Sequence, residues 1–368
     1  MKIIVLGGTG IIGRWVVQDL LDFSDAEIVV AAQKAQPHRS SRVTAVSVDV
    51  TDVVKTARIL KNADVVVNCV NYYFNLQVMR ACLYAGVHYV DLGGLFHMTN
   101  KQLRLHAQFK RKKLLAVLGC GSTPGITNVM AAYGLRYFDR VTGINVSFGG
   151  HDFVHHSQPF VLPYTLHTLF DEFSMKPAVL KNGKIKMVLP LSGKTALVFP
   201  SPVGRQTGFY TLHSELATFP SSFHLKECSF RATFDDEFTE QIKFLIDTGF
   251  ASTVPLHLNG TKVVPRQFTA KIMEQWLPKK VNDVEMLRVE MVGKTKGKKM
   301  TKVLYCVTRS SGQVPAGVYD TAVPASIIAQ MVAKCKLKER GVLPPEKCIE
   351  PELFFEELKR RKILVSIS

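Results

Sequence analysis

A glycine-rich turn near the start of the chain constrains the fold more than any other feature of this sequence. The apolar run Lys2–Leu6 is typical of a buried parallel strand, and apolar residues at helical spacing follow the turn. The turn reads GxGxxG, in which Gly8 is expected to form the tight bend while the later glycines admit a pyrophosphate and let the helix pack on the strand. We therefore predict a dinucleotide-phosphate site formed by Gly8, Thr9, Gly10, Ile11, Ile12 and Gly13.

Strand and helix patterns alternate through the first 120 residues. Helices are predicted at 52–60, with Thr51 as the cap, and at 74–85. Further strands are predicted at 27–32, 45–49, 64–69, 88–91 and 115–118. Single-helix connections imply parallel pairing with right-handed crossovers, so we predict an α/β fold, a doubly wound Rossmann sheet.

The pattern changes after the sequence GSTPG at residues 121–125. Longer alternating segments at 141–148, 229–234 and 286–292, with a second hairpin arm at 301–307, favour a mixed or antiparallel second sheet. Near the end of the chain, residues 323–335 are amphipathic, and their Ala-rich face suits packing on the first domain.

The end of the second strand indicates which dinucleotide binds. NAD enzymes usually carry an acidic side chain there for the ribose 2′-hydroxyl. This chain has Gln33 and Lys34 instead, with Arg39 and Arg42 nearby, and cations beside an uncharged tip tolerate a 2′-phosphate. We predict that NADP is favoured over NAD, although Lys34 can also be read as a solvated surface residue.

The net charge of +17 raises the question of nucleic-acid binding. The basic clusters at 110–113, 294–299 and 359–362 have no aromatic residues interleaved with them, so a solvated basic surface is favoured over a nucleic-acid site. The seven cysteines are odd in number and have no CxxC spacing, which predicts free thiols in a reducing cytoplasm and no metal site. No apolar run is long enough to span a membrane, and no signal peptide is evident.

Three further segments carry a family resemblance. They read NCVNYYFN at 68–75, AGVHYVDLGG at 85–94 and GCGSTPGITN at 119–128. In this order after a Rossmann loop, they closely resemble the saccharopine dehydrogenase family, and most of all its lysine 6-dehydrogenase and saccharopine reductase branch. The resemblance continues through GVLPPE at 341–346 and Pro351-Glu352, and is weakest over residues 180–310.

That resemblance implies a discontinuous architecture and a function. Residues 1–127 would be the Rossmann domain, 128–311 an inserted α+β domain for substrate binding and dimerisation, and 312–368 a segment that returns to the first domain. The implied activity is NAD(P)-linked oxidation of a CH–NH bond in an amino acid such as lysine or saccharopine, by a homodimer. The alternatives are an imine enzyme of the carboxynorspermidine or homospermidine type, and a non-catalytic NADP-binding sensor. No Tyr has a Lys four positions later, which disfavours the short-chain dehydrogenase class.

Ligands of parallel sheets bind at the carboxyl ends of the strands, and this rule together with the resemblance supplies the candidate residues. Asp91 ends the fifth strand and either holds the substrate amino group or acts as its base, or is a helix-capping or turn aspartate. His213 is the preferred base among eleven histidines, with His97, His155 and His156 as other candidates. The remaining cofactor contacts are expected at Asp49, Val50, Cys69, Val70, Asn71, Gly121 and Pro124. Substrate contacts are expected at Tyr72, Tyr73, Gly93, Gly94, Arg205 and Arg231.

Overall fold

The structure is a computed structural model, and it describes residues 1–157, 160–276, 278 and 280–368. The first six strands are β1 (Lys2–Leu6), β2 (Glu27–Ala32), β3 (Val43–Ser47), β4 (Val65–Asn68), β5 (His88–Asp91) and β6 (Leu115–Val117). The helices among and after them are α1 (Gly13–Phe23), α2 (Val53–Leu60), α3 (Asn75–Ala85), α4 (Leu95–Leu103), α5 (His106–Arg111) and α6 (Ile126–Gly134).

The second half of the chain contributes the remaining strands and helices. The strands are β7 (Arg140–Asp152), β8 (Ala178–Lys181), β9 (Lys184–Met187), β10 (Thr195–Val198), β11 (Arg205–Tyr210), β12 (Glu227–Thr233), β13 (Leu256–Leu258), β14 (Thr261–Val263), β15 (Asp283–Thr295), β16 (Lys298–Arg309), β17 (Gly341–Leu343) and β18 (Leu364–Ile367). The helices are α7 (Leu166–Ser174), α8 (Glu215–Phe223), α9 (Asp236–Asp247), α10 (Pro265–Met273), α11 (Ala316–Ala333) and α12 (Pro351–Arg360).

The Rossmann prediction is confirmed. A seven-stranded parallel sheet has the order β17-β6-β5-β4-β1-β2-β3, so the strand order reverses between β1 and β4. Continuous apolar runs such as Ile3–Leu6 and Val65–Val67 are buried on both faces, as parallel strands covered by helices must be. The cap of α2 is Asp52 rather than the predicted Thr51, because the Asp52 carboxylate accepts the N–H of Lys55.

The second sheet is mixed, as predicted. It has nine strands, and its main path is β10-β11-β12-β7-β15-β16-β18. Strand β7 pairs parallel with β12 and antiparallel with β15, and the long β15–β16 hairpin follows the predicted alternation. One face of this sheet packs against α6 and α11, and α11 also contacts β1, β4 and β5, so α11 lies between the two sheets.

The last segment differs from its prediction in two respects. Helix α11 begins at Ala316, continues through Pro324 and is buried nearly all round rather than amphipathic, because it packs on α1 and also on β15 and β16. After it, β17 pairs parallel with β6 and joins the Rossmann sheet. The final strand β18 instead pairs with β16 and completes the second sheet, which the sequence did not predict.

A buried ion pair fixes this segment to the first helix. Arg361 is 2% exposed, and its Nε donates to Asp19 of α1 at 2.7 Å while a terminal nitrogen donates to Glu357. The seven cysteines are free thiols, of which Cys335 is exposed. Within the described part of the chain, every helix is too short or too polar to cross a lipid bilayer.

Candidate active site

The predicted phosphate loop lies at the point where the strand order reverses. The tight bend was predicted at Gly8, but it is Gly7, with a φ of 72°, that takes the left-handed conformation. A Cβ on Gly7 would stand 2.9 Å from the backbone carbonyl of Cys69, so the loop packs directly against the residues that follow β4. A Cβ on Gly13 would stand 2.2 Å from the carbonyl oxygen of Gly7, which explains why α1 can begin there only with glycine.

The loop fits a phosphate-bearing ligand. Thr9 and Gly10 are exposed, and the backbone N–H groups of Thr9, Ile11 and Ile12 donate to no acceptor in the described part of the chain. These donors surround the start of α1, where the helix dipole also favours an anion. The residues present are therefore suited to hold the pyrophosphate of a dinucleotide.

Of the three basic residues predicted near the end of β2, two have side chains exposed to a 2′-phosphate. Gln33, Lys34 and Arg39 are exposed beyond the strand. Arg42, by contrast, donates to the carbonyls of Leu21 and Ser24 at the end of α1, so its guanidinium stabilises that helix end.

Two residues predicted to contact the cofactor, Asp49 and Asn71, accept hydrogen bonds from residues two positions further along the chain. Asp49 is exposed and accepts both the N–H and the hydroxyl of Thr51, and Val50 is buried. Asn71 accepts the N–H of Tyr73, which caps the short 3₁₀ turn after β4. Cys69 and Val70 lie against Gly7 of the phosphate loop, and their contact with the cofactor stays a prediction.

Asp91 is held by protein donors on both carboxylate oxygens. It is 1% exposed, and burial raises its pKa while the surrounding hydrogen bonds act in the opposite direction. Its partners are the N–H groups of Gly93 and Gly119, the Tyr89 hydroxyl and the side-chain amides of Gln102 and Asn75. The geometry therefore favours the turn interpretation of Asp91, which joins the ends of β5 and β6.

The glycines after Asp91 are required by packing within the protein. Gly93 has a φ of 117°, and a Cβ there would stand 3.0 Å from Pro124. A Cβ on Gly94 would stand 2.6 Å from the side-chain oxygen of Gln102. The Gly94 N–H also donates to the hydroxyl of Ser214, so the inserted domain contacts the carboxyl end of β5 at this point.

His213 and Glu215 form a buried pair over the loop that follows β6. The two side chains are hydrogen-bonded through Nδ1 of His213, and the imidazole stacks on Phe230 with ring centres 3.6 Å apart. The other oxygen of Glu215 accepts the hydroxyls of Thr123 and Thr127. This arrangement fixes the imidazole ring and ties it to the Rossmann domain.

The electrostatics of the pair favour the charged form of each side chain. Burial opposes the charge of His213, but the charge and hydrogen bond of Glu215 outweigh burial and raise the pKa of the imidazole. Burial alone would raise the pKa of Glu215. The charge of His213 and the hydrogen bonds from His213 and Thr123 outweigh burial and lower that pKa. A buried imidazole whose charged form is stabilised by a carboxylate is suited to proton transfer.

A second glutamate beside His213 was missed by the sequence analysis. Glu172 of α7 is 6% exposed and accepts the hydroxyl of Tyr164 at 2.5 Å. Burial raises the pKa of Glu172 to about 7, although the His213 charge and the Tyr164 hydrogen bond oppose the shift. The site thus contains a carboxyl group that titrates near neutral pH.

Tyr72 and Tyr73 bridge the two domains. Both hydroxyls donate to the same oxygen of Asp171 in α7, and Arg266 of α10 donates to the other oxygen at 2.6 Å. Arg266 also donates to the Tyr73 hydroxyl at 3.0 Å. These tyrosines do bind a carboxylate, but in this structure it belongs to the inserted domain.

The two arginines predicted to hold a substrate carboxylate are not brought to His213. Arg231 follows Phe230, the residue stacked on His213, and successive strand residues point to opposite faces of a sheet. Its guanidinium donates to Ser229 and Tyr210 on that opposite face. Arg205 is exposed at the start of β11.

Family models match nearly the whole chain. The model of the saccharopine dehydrogenase NADP binding domain matches residues 3–117, and that of the saccharopine dehydrogenase C-terminal domain matches residues 121–364.

Two relatives of known activity also align over most of the chain. A carboxyaminopropylagmatine dehydrogenase of Synechocystis is 26% identical over 97% of this chain and 94% of its own length. A carboxynorspermidine synthase of Vibrio alginolyticus is 24% identical over 90% of this chain and 85% of its own length.

A solved structure has the same fold. Saccharopine dehydrogenase (L-Glu forming) from Saccharomyces cerevisiae superimposes with a TM-score of 0.75 and 16% identity, over 100% of this chain and 99% of that one.

Proposed function

Because this chain belongs to the saccharopine dehydrogenase family, and is an NADP-binding oxidoreductase of that family, we propose that it acts on the C–N bond of a carboxylated polyamine conjugate. The observation that carries this proposal is the buried His213–Glu215 pair, which stands over the loop after β6 with Glu172 beside it. Chemistry at a C–N bond needs a proton transfer on nitrogen together with the hydride transfer, and this cluster can supply the proton step.

Relatives favour the polyamine class over lysine or saccharopine. Both relatives named above carry the name of a carboxylated amine conjugate, and each aligns over most of this chain. The likeness to the yeast saccharopine dehydrogenase concerns the fold. The alternative that the sequence analysis kept open, an imine enzyme of the carboxynorspermidine type, therefore becomes the preferred function.

The roles of the site residues follow from their contacts. Glu215 holds Nδ1 of His213, so Nε2 is the ring nitrogen that can exchange a proton with the substrate amine. Glu172, with its pKa of about 7, can receive or return that proton. Stacking on Phe230 and burial keep the imidazole in place and exclude water around it. The loop from Gly8 to Gly13 would hold NADP, which would supply the hydride chemistry at the carbon of the C–N bond.

A substrate screen tests this proposal. We expect NADP reduction, followed by absorbance, with carboxyaminopropylagmatine or carboxynorspermidine as the amine, and slower reaction with saccharopine or lysine. Faster turnover of saccharopine than of either conjugate would return the assignment to lysine-type substrates. No reaction with any amine, in a protein that still binds NADP, would favour the sensor alternative.

The cofactor preference is a separate prediction. Lys34→Glu should weaken NADP binding more than NAD binding, because a carboxylate beside the 2′-phosphate repels it and is neutral or favourable toward a 2′-hydroxyl. Calorimetric titration of both cofactors measures the effect, and Lys61→Glu, at an exposed position after α2, is the matched control. If the unaltered protein binds NAD about tenfold more tightly than NADP, a difference of about 1.4 kcal/mol, the assigned preference is wrong.

The homodimer and the cytoplasmic location remain predictions of the sequence analysis. The same holds for the expectation that the basic surface does not bind nucleic acid.

A further inference from the structure

A cavity of about 690 Å³ opens in the inserted domain next to the candidate active site. Its walls come from the end of β7, the start of α9 and the segment that leads into β15. At its inner end Glu285 accepts the hydroxyl of Ser122, at 3.4 Å, from the loop after β6. The cavity therefore reaches the boundary between the two domains at the loop on which the His213–Glu215 pair also rests.

The charge of this cavity is opposite to that of the whole protein. The chain carries a net charge of +17, yet Lys280 is the only Lys or Arg among the described residues of the cavity wall. Facing it are five carboxylates, those of Asp152, Asp235, Glu237, Asp283 and Glu285. The wall also carries His151, His155 and His156, but carboxylates predominate among its ionisable side chains. A concave site in which one sign of charge predominates concentrates ligands of the other sign, so this cavity favours cations.

Three of the five carboxylates also have local structural partners. Asp235 caps α9 through the N–H of Phe238, Asp283 caps α11 through the N–H of Ala316, and Asp152 pairs with His156. Glu285 has no cationic partner among the described residues, and neither has Glu237, which receives one hydrogen bond from Gln241. These two glutamates, one at the inner end and one on α9, are available to a ligand.

A second acid lies directly behind Glu285. Asp320 of α11 is fully buried, and neither of its oxygens has a hydrogen-bond partner in the described part of the chain. Burial and then the negative charge of Glu285 raise the pKa of Asp320 well above its ordinary value, while burial and the charge of Asp283 raise the pKa of Glu285 to about 7. Two neighbouring buried carboxyl groups resist being charged together unless a cation neutralises them.

An organic cation suits this site better than a metal ion. Among the described residues, His, Cys, Asp and Glu side chains form no group of three or more that could hold a metal. The cavity wall also includes the rings of Phe148, Phe160, Phe234 and Phe238, which suit the methylene groups of an alkyl chain.

We propose that this cavity binds the cationic arm of the substrate, a diamine or guanidinoalkyl amine, with Glu285 as counter-ion at the inner end and Glu237 at the outer end. This inference rests on the proposed function and deepens it, since it names the part of the substrate that the inserted domain selects. The same carboxylates repel an α-carboxylate, so an amino acid such as glutamate is rejected from this arm of the site.

Calorimetric titration of the NADP-bound protein with agmatine and putrescine tests this inference without turnover. We expect both amines to bind, glutamate not to bind, and Glu285→Gln to weaken agmatine binding by at least about tenfold. Gln keeps the shape of Glu and buries no charge, so the variant should fold. Glu237→Gln, on the exposed surface of α9, should weaken agmatine binding severalfold. Asp236→Asn is the matched control, because Asp236 is exposed on the same helix outside the cavity and its loss should change nothing.

The outcomes separate this inference from the proposed function. Unchanged agmatine affinity in both glutamine variants, or binding of glutamate in place of agmatine, overturns the cavity assignment even if the enzyme oxidises saccharopine. Carboxylate-dependent agmatine binding in a protein that oxidises no amine overturns the proposed function and leaves the cavity assignment in place.

Discussion

Replacing His213 by Asn is expected to lower kcat by about 10²–10⁴-fold, the usual contribution of a positioned acid–base group. The Asn amide takes the place of Nδ1, so the hydrogen bond to Glu215 can persist while Nε2 is lost. The side-chain contacts of His213 are with Glu215 and Phe230 rather than with the phosphate loop, so NADP affinity should change little. Steady-state kinetics on the best amine of the substrate screen, together with NADP titration, measures both quantities.

A nearby histidine provides the control. His224 is exposed and ends α8 in the left-handed conformation, which Asn tolerates well, so His224→Asn should leave turnover unchanged. If His213→Asn turns over as fast as His224→Asn, the imidazole has a packing role against Phe230 and the acid–base assignment is wrong.

The pH dependence distinguishes the two members of the pair. In the oxidative direction His213 must be neutral to accept a proton, so kcat/KM should rise with pH through the pKa of His213. Glu215 raises that pKa against the opposing effect of burial, so Glu215→Gln should lower it. The rising limb of the profile is expected to move to lower pH. An unmoved limb would mean that another group, such as Glu172, is the one that titrates.

Asp91→Asn is expected to destabilise the Rossmann domain by about 2–5 kcal/mol. The carboxylate is buried and accepts five hydrogen bonds, and whichever oxygen is replaced by an NH₂ group then faces donors. Placing the NH₂ group at Oδ1 opposes the N–H groups of Gly93 and Gly119, and placing it at Oδ2 opposes Gln102. A chain with two domains can unfold in more than one transition. Calorimetry resolves such transitions and therefore measures the loss of stability in the Rossmann domain.

A second aspartate at the other end of the same sheet serves as the control. Asp64 is exposed and accepts the N–H of Lys2, so Asp64→Asn should have a much smaller effect on unfolding. An Asp91→Asn variant as stable as the unaltered protein, with turnover reduced at least about tenfold, would restore the acid–base role that the sequence left open for Asp91.

Local patterns were sufficient to predict the dinucleotide-binding half of this protein. A buried parallel strand is a continuous apolar run, and the spacing of the glycines reflects contacts within a few residues, such as that between Gly13 and Gly7. For the same reason the bounds of β1, β2 and β5 agree with the sequence patterns. The family resemblance extended this prediction to the second domain.

The active site depends on contacts that the sequence could not reveal. Glu172 and His213 are separated by 41 residues, and the partners of Tyr72 and Tyr73 lie nearly 100 residues further along the chain. One signal in the sequence was not used. Glu285 lies on the same face of β15 as the buried Leu287, Val289 and Met291, where an acidic side chain is unexpected.

The sequence by itself determined the Rossmann sheet, its phosphate loop and the family, because each of these depends on short-range spacing of apolar and glycine residues. Only the tertiary structure decided which carboxylates carry out structural tasks and which remain available. Asp91 is saturated by donors from five other residues, while Glu285 faces a cavity with Asp320 behind it. Since hydrogen bonding and desolvation of a carboxylate are set by residues distant in sequence, the folded arrangement alone separates these two roles.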